Sequence, residues 1–328
     1  MYLSPQAAFV RRHRHVVTLT VLAVTCLTCI ALSAIAGWPA TLARLRHLSG
    51  WFIPLMLVFH VASYLGYMVA HHHVVDRSRN IALGWARGAQ VLLIGFGGFL
   101  IGGGFGVDRR ALVQTGLSHT DASVAAMSLG ALELLLLAPA VWICALLLLG
   151  TPGVPASFTL PWVIGLPIGA VLIAGAAVRG QRHGSAGANR LVRAASELVL
   201  GCRAAGALLR DPRRGPMVAA GLALYWAADI AALWAALRFV STSLALPRLI
   251  LAYSGAYILT RRTLPFAGVI VVETLMAVSL VSLGVTLAAA AIAVLVYRLS
   301  DFTLTLGGAL LASSAVDRIV TFQARSAP

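Results

Sequence analysis

Long apolar runs recur along almost the whole chain, separated by short stretches rich in arginine, proline or glycine. They cover 16–37, 51–70, 81–107, 121–150, 159–178, 217–240, 248–260, 264–283 and 286–316. A helix rises about 1.5 Å per residue, so roughly 20 apolar residues bridge the hydrocarbon core of a bilayer. In lipid, backbone N–H and C=O groups must find partners within the protein, and unbroken apolar runs achieve this as helices. The pattern predicts an all-α, polytopic integral membrane protein. It has seven or eight transmembrane helices, depending on whether two irregular segments cross the bilayer or re-enter it.

The only long polar interruption is 179–216, which carries eight arginines. Within it Leu191, Val192, Ala195, Leu198, Val199 and Cys202 fall at helical spacing, with arginines on the other side. This predicts an amphipathic helix on the cytoplasmic face. The chain therefore divides into a basic cytoplasmic N-terminus (1–15), a first membrane half (16–178), a basic amphipathic linker (179–216), a second membrane half (217–316) and a tail (317–328).

Composition agrees with this reading. Hydrophobic residues make up 60% of the chain and charged residues 11%, against roughly 25% charged in a soluble domain. The net charge is +15, and all the basic residues other than histidine are arginine. In a soluble protein that excess would suggest nucleic acid. Here the arginines lie between apolar runs, so the positive-inside rule and anionic lipid headgroups account for them. The expected location is the cell (inner or plasma) membrane, with the N-terminus cytoplasmic. The first apolar run is long enough to span and lacks a clear cleavage site after it. Cys26 and Cys29 form a CxxC inside this run with no second pair, which reads as apolar filler rather than a metal or redox site.

The first irregular segment holds seven glycines between Gly95 and Gly106, Gly103, Gly104 and Gly106 among them, followed by Asp108-Arg109-Arg110. Glycine weakens a helix by about 1 kcal/mol per residue relative to alanine. A broken helix here must be buried or line a wet cavity, and the helix restart would present N–H groups to an anion such as a phosphate. The alternative is a glycine-rich helix packed closely on a neighbour, followed by a basic loop.

A shift of 165 residues aligns this segment with the second irregular one without a gap. Gly103 falls on Gly268, Asp108 on Glu273, Ser118-His119-Thr120 on Leu283-Gly284-Val285, and Glu133 on Arg298. Duplicated membrane segments with broken helices are a common transporter arrangement, with the substrate site between the repeats. The ionisable residues within spans are His60, Glu133, Asp229, Glu273, Arg298 and Asp301. Each costs on the order of 3 kcal/mol if it faces lipid, so all should face the protein interior or a cavity. Arg298 and Asp301 share a helix face and can pair. Glu133 and Arg298 would then either form a salt bridge across the pseudo-axis, or Arg298 would hold a lipid phosphate with Glu133 and Asp301 keeping it in place. Arg109 and Arg110, nearer the interface, are the stronger headgroup candidates.

Enzyme motifs are lacking: there is no GxSxG, HExxH, P-loop or spaced cysteine cluster, and no cofactor is expected. His71-His72-His73 point in different directions on one helix and read as an interfacial cap. Ser118 or Thr120 is expected to cap the helix that follows.

The stretch LPFAGVIVVETLMAVSLVSLGVTLAAAAIAVLVYRLSDF resembles the lysylphosphatidylglycerol synthase transmembrane family, the flippase-like domain proteins. The likeness lies in Pro265, Gly268, Val271-Val272-Glu273, Gly284 and Arg298 with Asp301. In the first half, GGGFGVDRRALVQTGLSHTDA resembles that family's other glycine-rich break, with Asp108 and Arg109 or Arg110 as its charges. Two departures stand out: Ile270 sits where a glycine is common, and the first break lacks proline. The resemblance implies a stand-alone flippase-like unit, without the soluble aminoacyltransferase domain, moving or binding a phospholipid or lipid-linked headgroup. The expected partners are membrane phospholipids with anionic or zwitterionic headgroups, and no nucleic acid. The rival expectations are a non-transporting scaffold for a membrane lipid or cell-wall enzyme, and a transferase using a lipid-linked donor.

Overall fold

The computed structural model describes residues 14–79, 117–180, 190–257 and 268–305, with Trp85, Gly88, Ala89, Leu92, Arg109, Leu112 and Val113 between them. The fold is all-α, with no strand among the described residues. The helices are α1 (Arg14–Ala36), α2 (Trp38–Leu45), α3 (Phe52–Arg79), α4 (His119–Leu148), α5 (Ala156–Gly180), α6 (Arg190–Leu209), α7 (Gly215–Phe239), α8 (Leu246–Tyr257) and α9 (Val271–Ser282). The last, α10, is described over Leu287–Thr305.

Local chemistry sets the helix ends. Gly37 adopts φ +92°, which ends α1, and the following Trp38-Pro39 starts α2 with proline in its first turn. Ser118 caps α4: its Oγ accepts the Asp121 N–H at 3.1 Å. Asp211 Oδ1 accepts the N–H groups of Arg213 and Arg214 at the turn into α7.

Five of the described helices are long and apolar enough to cross a membrane: Leu19–Ala36, Phe52–Val75, His119–Leu148, Gly215–Phe239 and Leu287–Thr305. Helix α5 carries a shorter apolar stretch, Ala156–Leu172. This is a multi-pass membrane fold. Two elements differ from the sequence expectation. Helix α3 runs through His71–His73 rather than ending there; His71 is buried, and His72 stacks on Trp85 with ring centroids 4.2 Å apart. Helix α6 lays its later apolar residues on protein: Val199, Ala205 and Leu208 are buried, and Gly201 abuts Met127 and Ser128 of α4.

Helices α3 and α7 form the most extensive helix pair. They run antiparallel. The Ser49 N–H, just before α3, donates to the Phe239 carbonyl at the end of α7. Phe52 meets Trp234 (ring centroids 5.9 Å apart), and further along Tyr67 meets Tyr225 (5.1 Å). Beside the second of these contacts Gly66 and Gly221 bring the two backbones together.

The other helices take their direction from this pair. Arg248, at the start of α8, donates to the Leu283 carbonyl just past the end of α9 and to the Pro152 carbonyl just past α4. Helix α8 thus starts, and α9 ends, at one end of the bundle. The end of α1 meets the start of α10 at this same end, where Ala36 and Arg44 line a cavity with Thr286, Leu287 and Ala288. Helix α3 starts there and α4 ends there. Hence α3 ends and α4 begins at the opposite end of the bundle.

The 165-residue shift places α3 on α7 and α4 on α10, and each pair of counterparts runs in opposite directions. The counterpart helices named by the shift thus run antiparallel to each other.

Candidate functional site

Helix α9 is only 12 residues long, about 18 Å, so it reaches roughly halfway through a bilayer. Its start is broken. Gly268 has φ +63°, and Ile270 has φ +75° with ψ −52°. For a β-branched residue this conformation stores about 1–3 kcal/mol of strain. The Ile270 side chain is exposed, so little packing depends on it. Ile270→Gly is expected to raise stability by about 1 kcal/mol, the strain released exceeding the added backbone entropy. Thermal unfolding of the purified protein checks this, and a lowered midpoint would contradict it.

Glu273 lies in the first turn of α9 and is fully buried. Its Oε1 accepts Arg298 Nε of α10 at 2.8 Å and Thr25 Oγ1 of α1 at 3.2 Å. Thr25 sits within the Leu19–Ala36 span, which places Glu273 well inside the bundle. Glu273 Oε2 is buried with no hydrogen-bond partner among the described residues. Arg298 is itself 2% exposed. Its Nη1 donates to Tyr257 Oη of α8 at 3.1 Å and lies 3.7 Å from Asp301 Oδ2, and its guanidinium stacks on Phe302, 4.4 Å from the ring centroid. Asp301 Oδ1 accepts Tyr64 Oη of α3 at 2.6 Å.

A second polar cluster adjoins the first. Asp229, buried on α7, accepts Tyr253 Oη (2.5 Å) and Tyr297 Oη (3.0 Å). His60 Nδ1 of α3 lies 3.3 Å from Asp229 Oδ1, and its Nε2 lies 2.9 Å from Ser300 Oγ. Packed tyrosines join the two clusters: Tyr257 lies tilted against Tyr253 (ring centroids 4.9 Å apart) and edge-on to Tyr297 (6.3 Å). Burying this many ionisable groups is costly unless charges are paired and hydrogen-bonded, and these contacts meet that condition for all but Glu273 Oε2.

Of the residues singled out in the sequence, the structure gathers Glu273, Arg298 and Asp301 into one network, with Gly268 at the break beside it. Arg298 pairs with Glu273 and Asp301, both in its own half. Glu133 is buried on α4, where its carbonyl accepts Trp226 Nε1 at 3.3 Å. Arg109 is exposed. Gly103, Gly104, Gly106, Asp108, Arg110 and Pro265 lie outside the described residues. The sequence reading passed over Thr25, Tyr64, Tyr253, Tyr257, Tyr297 and Ser300. The available signal was spacing: His60 with Tyr64, and Tyr253 with Tyr257, are four apart and share a helix face. Among the described residues no cluster of histidine, cysteine and carboxylate is placed to hold a metal ion. No protein-family model, curated protein or solved structure matches the chain.

Proposed function

We propose that the protein translocates a phospholipid or lipid-linked headgroup between the leaflets of the cell membrane, with its N-terminus in the cytoplasm. The observation that carries this reading is the fully buried Glu273–Arg298 pair at the broken start of α9; the opposite directions of α3 and α7, and of α4 and α10, support reading the two halves as inverted copies. Inverted repeats with discontinuous helices suit alternating access, in which one half rocks against the other around a site near the midplane. A headgroup phosphate is an anion that Arg298 can take in place of the Glu273 carboxylate, through the same N–H donors. The acyl chains stay in lipid while the headgroup passes between the halves. Arg109, exposed and basic, attracts the headgroup before entry.

The test is leaflet exchange of fluorescent lipids in vesicles that contain the purified protein. Exchange above protein-free vesicles is expected, and Arg298→Ala should slow it at least tenfold. No exchange across anionic and zwitterionic headgroups would sink the proposal. Product formed from a lipid-linked donor would instead identify a transferase.

A further inference from the structure

We propose that the cleft between α2 and the start of α10 binds the headgroup of an anionic phospholipid, with Arg44 as the cation that takes its phosphate. The site is separate from Arg298. It rests on the membrane fold and not on lipid translocation.

The cleft begins with the turn between α1 and α2. Gly37 makes that turn with φ +92°. Thr41 is buried, and its Oγ1 is in hydrogen-bond reach of the Ser33 carbonyl (3.3 Å) and the Gly37 carbonyl (3.2 Å). These contacts hold α2 at a set rotation about its axis. Trp38, Leu42 and Leu45 then fall on one face, at i, i+4 and i+7, and all three are exposed. Ala40, Ala43 and Arg44 fall on the opposite face and line the cleft. In a membrane fold the two faces meet different surroundings. An exposed stripe of tryptophan and leucine on a short helix next to a span settles into the edge of the hydrocarbon, with the helix in the plane of the interface. The face that carries Arg44 is then at headgroup level.

The cleft encloses about 330 Å³, near the lower end of the range for small-molecule sites. That is room for a glycerophosphate headgroup but not for a whole diacyl lipid, so the acyl chains stay in the bilayer. Its walls supply both parts that such a ligand needs. Alanine and leucine side chains make up most of the lining, and no acidic residue is among them. Arg44 is half-buried, and its side chain has no hydrogen bond or ion pair among the described residues. A guanidinium with its donors unused matches the oxygens of a phosphate. The facing wall is Thr286, Leu287 and Ala288. The Thr286 carbonyl accepts the Ala290 N–H, so these residues open α10, where the leading N–H groups have no carbonyl ahead of them within the helix. They add donors beside Arg44. A free phosphate gains nothing from the apolar walls, whereas the glycerol end of a phospholipid does. Leu287 and Arg298 are eleven residues apart on α10, about 17 Å along its axis, so one headgroup cannot fill both sites.

The experiment uses the full chain in phosphatidylcholine vesicles with a trace of photoreactive phosphatidylglycerol or, in parallel, of photoreactive phosphatidylcholine. Each probe carries a diazirine at the glycerol end of its acyl chain, and labelled peptides are mapped by mass spectrometry. Phosphatidylglycerol should label 36–44 and 286–288 at least fivefold more than phosphatidylcholine does. The two probes should label Leu19 and Leu27, exposed on α1, equally. Arg44→Gln should abolish the difference at the cleft, and Arg44→Lys should keep most of it. Equal labelling of the cleft by both probes in the native protein overturns the site, whether or not the variants fold. A difference that persists in folded Arg44→Gln overturns the role of Arg44. Displacement of the phosphatidylglycerol probe by excess inorganic phosphate reveals a site for free anions and overturns the lipid assignment. No step requires a lipid to cross the bilayer. A protein that translocates nothing still tests the cleft, and failure at the cleft leaves the reading of Arg298 standing.

Discussion

Arg298→Met is expected to destabilise the protein by about 3–5 kcal/mol, and adding Glu273→Gln to the same chain is expected to restore most of that loss. The reason is an asymmetry in what each change leaves behind. Removing Arg298 takes away the one charged partner that Glu273 has among the described residues; Glu273 has no exposure, and one of its oxygens already has no hydrogen-bond partner among them. The remaining donor at Oε1 is the Thr25 hydroxyl at 3.2 Å, which is far too little for a carboxylate away from water. Glutamine at 273 removes the charge and keeps an acceptor for Thr25. Methionine at 298 keeps much of the volume and lays a thioether on Phe302, where the guanidinium stacked. Glu273→Gln alone should cost less than Arg298→Met, because Arg298 retains Asp301 and Tyr257. Unfolding in mixed micelles at rising denaturing-detergent fraction, followed by circular dichroism, measures all three variants. A double variant as unstable as Arg298→Met would show that the loss comes from packing rather than from a stranded charge. A large loss with poor rescue in stability but normal lipid exchange would separate the structural role of the pair from the proposed one.

The cycle also marks what could and could not be read from the chain. The helices were legible because apolar runs in lipid have few alternatives to helix, and the Ser118 cap because its side chain acts within its own turn. Arg298 and Asp301 were legible as a pair because i,i+3 neighbours share a face. The partner of Arg298 was not, because Glu273 is 25 residues away across a turn, and periodicity carries no information on how two helices rotate about their axes. The second cluster was harder still. Tyrosine in a membrane sequence reads as an interfacial anchor, yet Tyr253, Tyr257 and Tyr297 are buried and turn their hydroxyls on Asp229 and Arg298. The directions of the helices were open for a related reason: they depend on which irregular segments cross, and the Arg248 contacts with Leu283 and Pro152 are what bring the start of α8 and the ends of α9 and α4 together.

Gly66→Ala is expected to cost about 1–3 kcal/mol and to open the α3–α7 contact on which both polar clusters depend. A Cβ at Gly66 would sit 2.5 Å from the Gly221 carbonyl oxygen and 2.7 Å from the Tyr225 nitrogen. One at Gly221 would meet the Gly66 carbonyl oxygen at 2.7 Å and the Ala70 nitrogen at 3.0 Å. These are backbone atoms, with no rotamer to relieve the clash, so the two helices must separate. Small residues at a crossing let helix backbones approach where lipid offers no hydrophobic drive for association. His60 is six residues from Gly66, about 9 Å along the axis, so separation at the glycines stretches the 3.3 Å approach of His60 to Asp229. Two controls isolate this cause. Gly165 and Gly206 have open space where a Cβ would go, so alanine there should be neutral or stabilising by up to about 1 kcal/mol. Gly66→Ala and Gly221→Ala together should cost less than the sum of their separate effects, because one separation accommodates both methyl groups. Full additivity would mean that each glycine is needed for its own reason and that the crossing is not shared. If Gly66→Ala proved as stable as Gly165→Ala, the close approach would be wrong, and with it the placement of Asp229 against His60. The unfolding series therefore tests the packing of His60 against Asp229 without reference to any lipid.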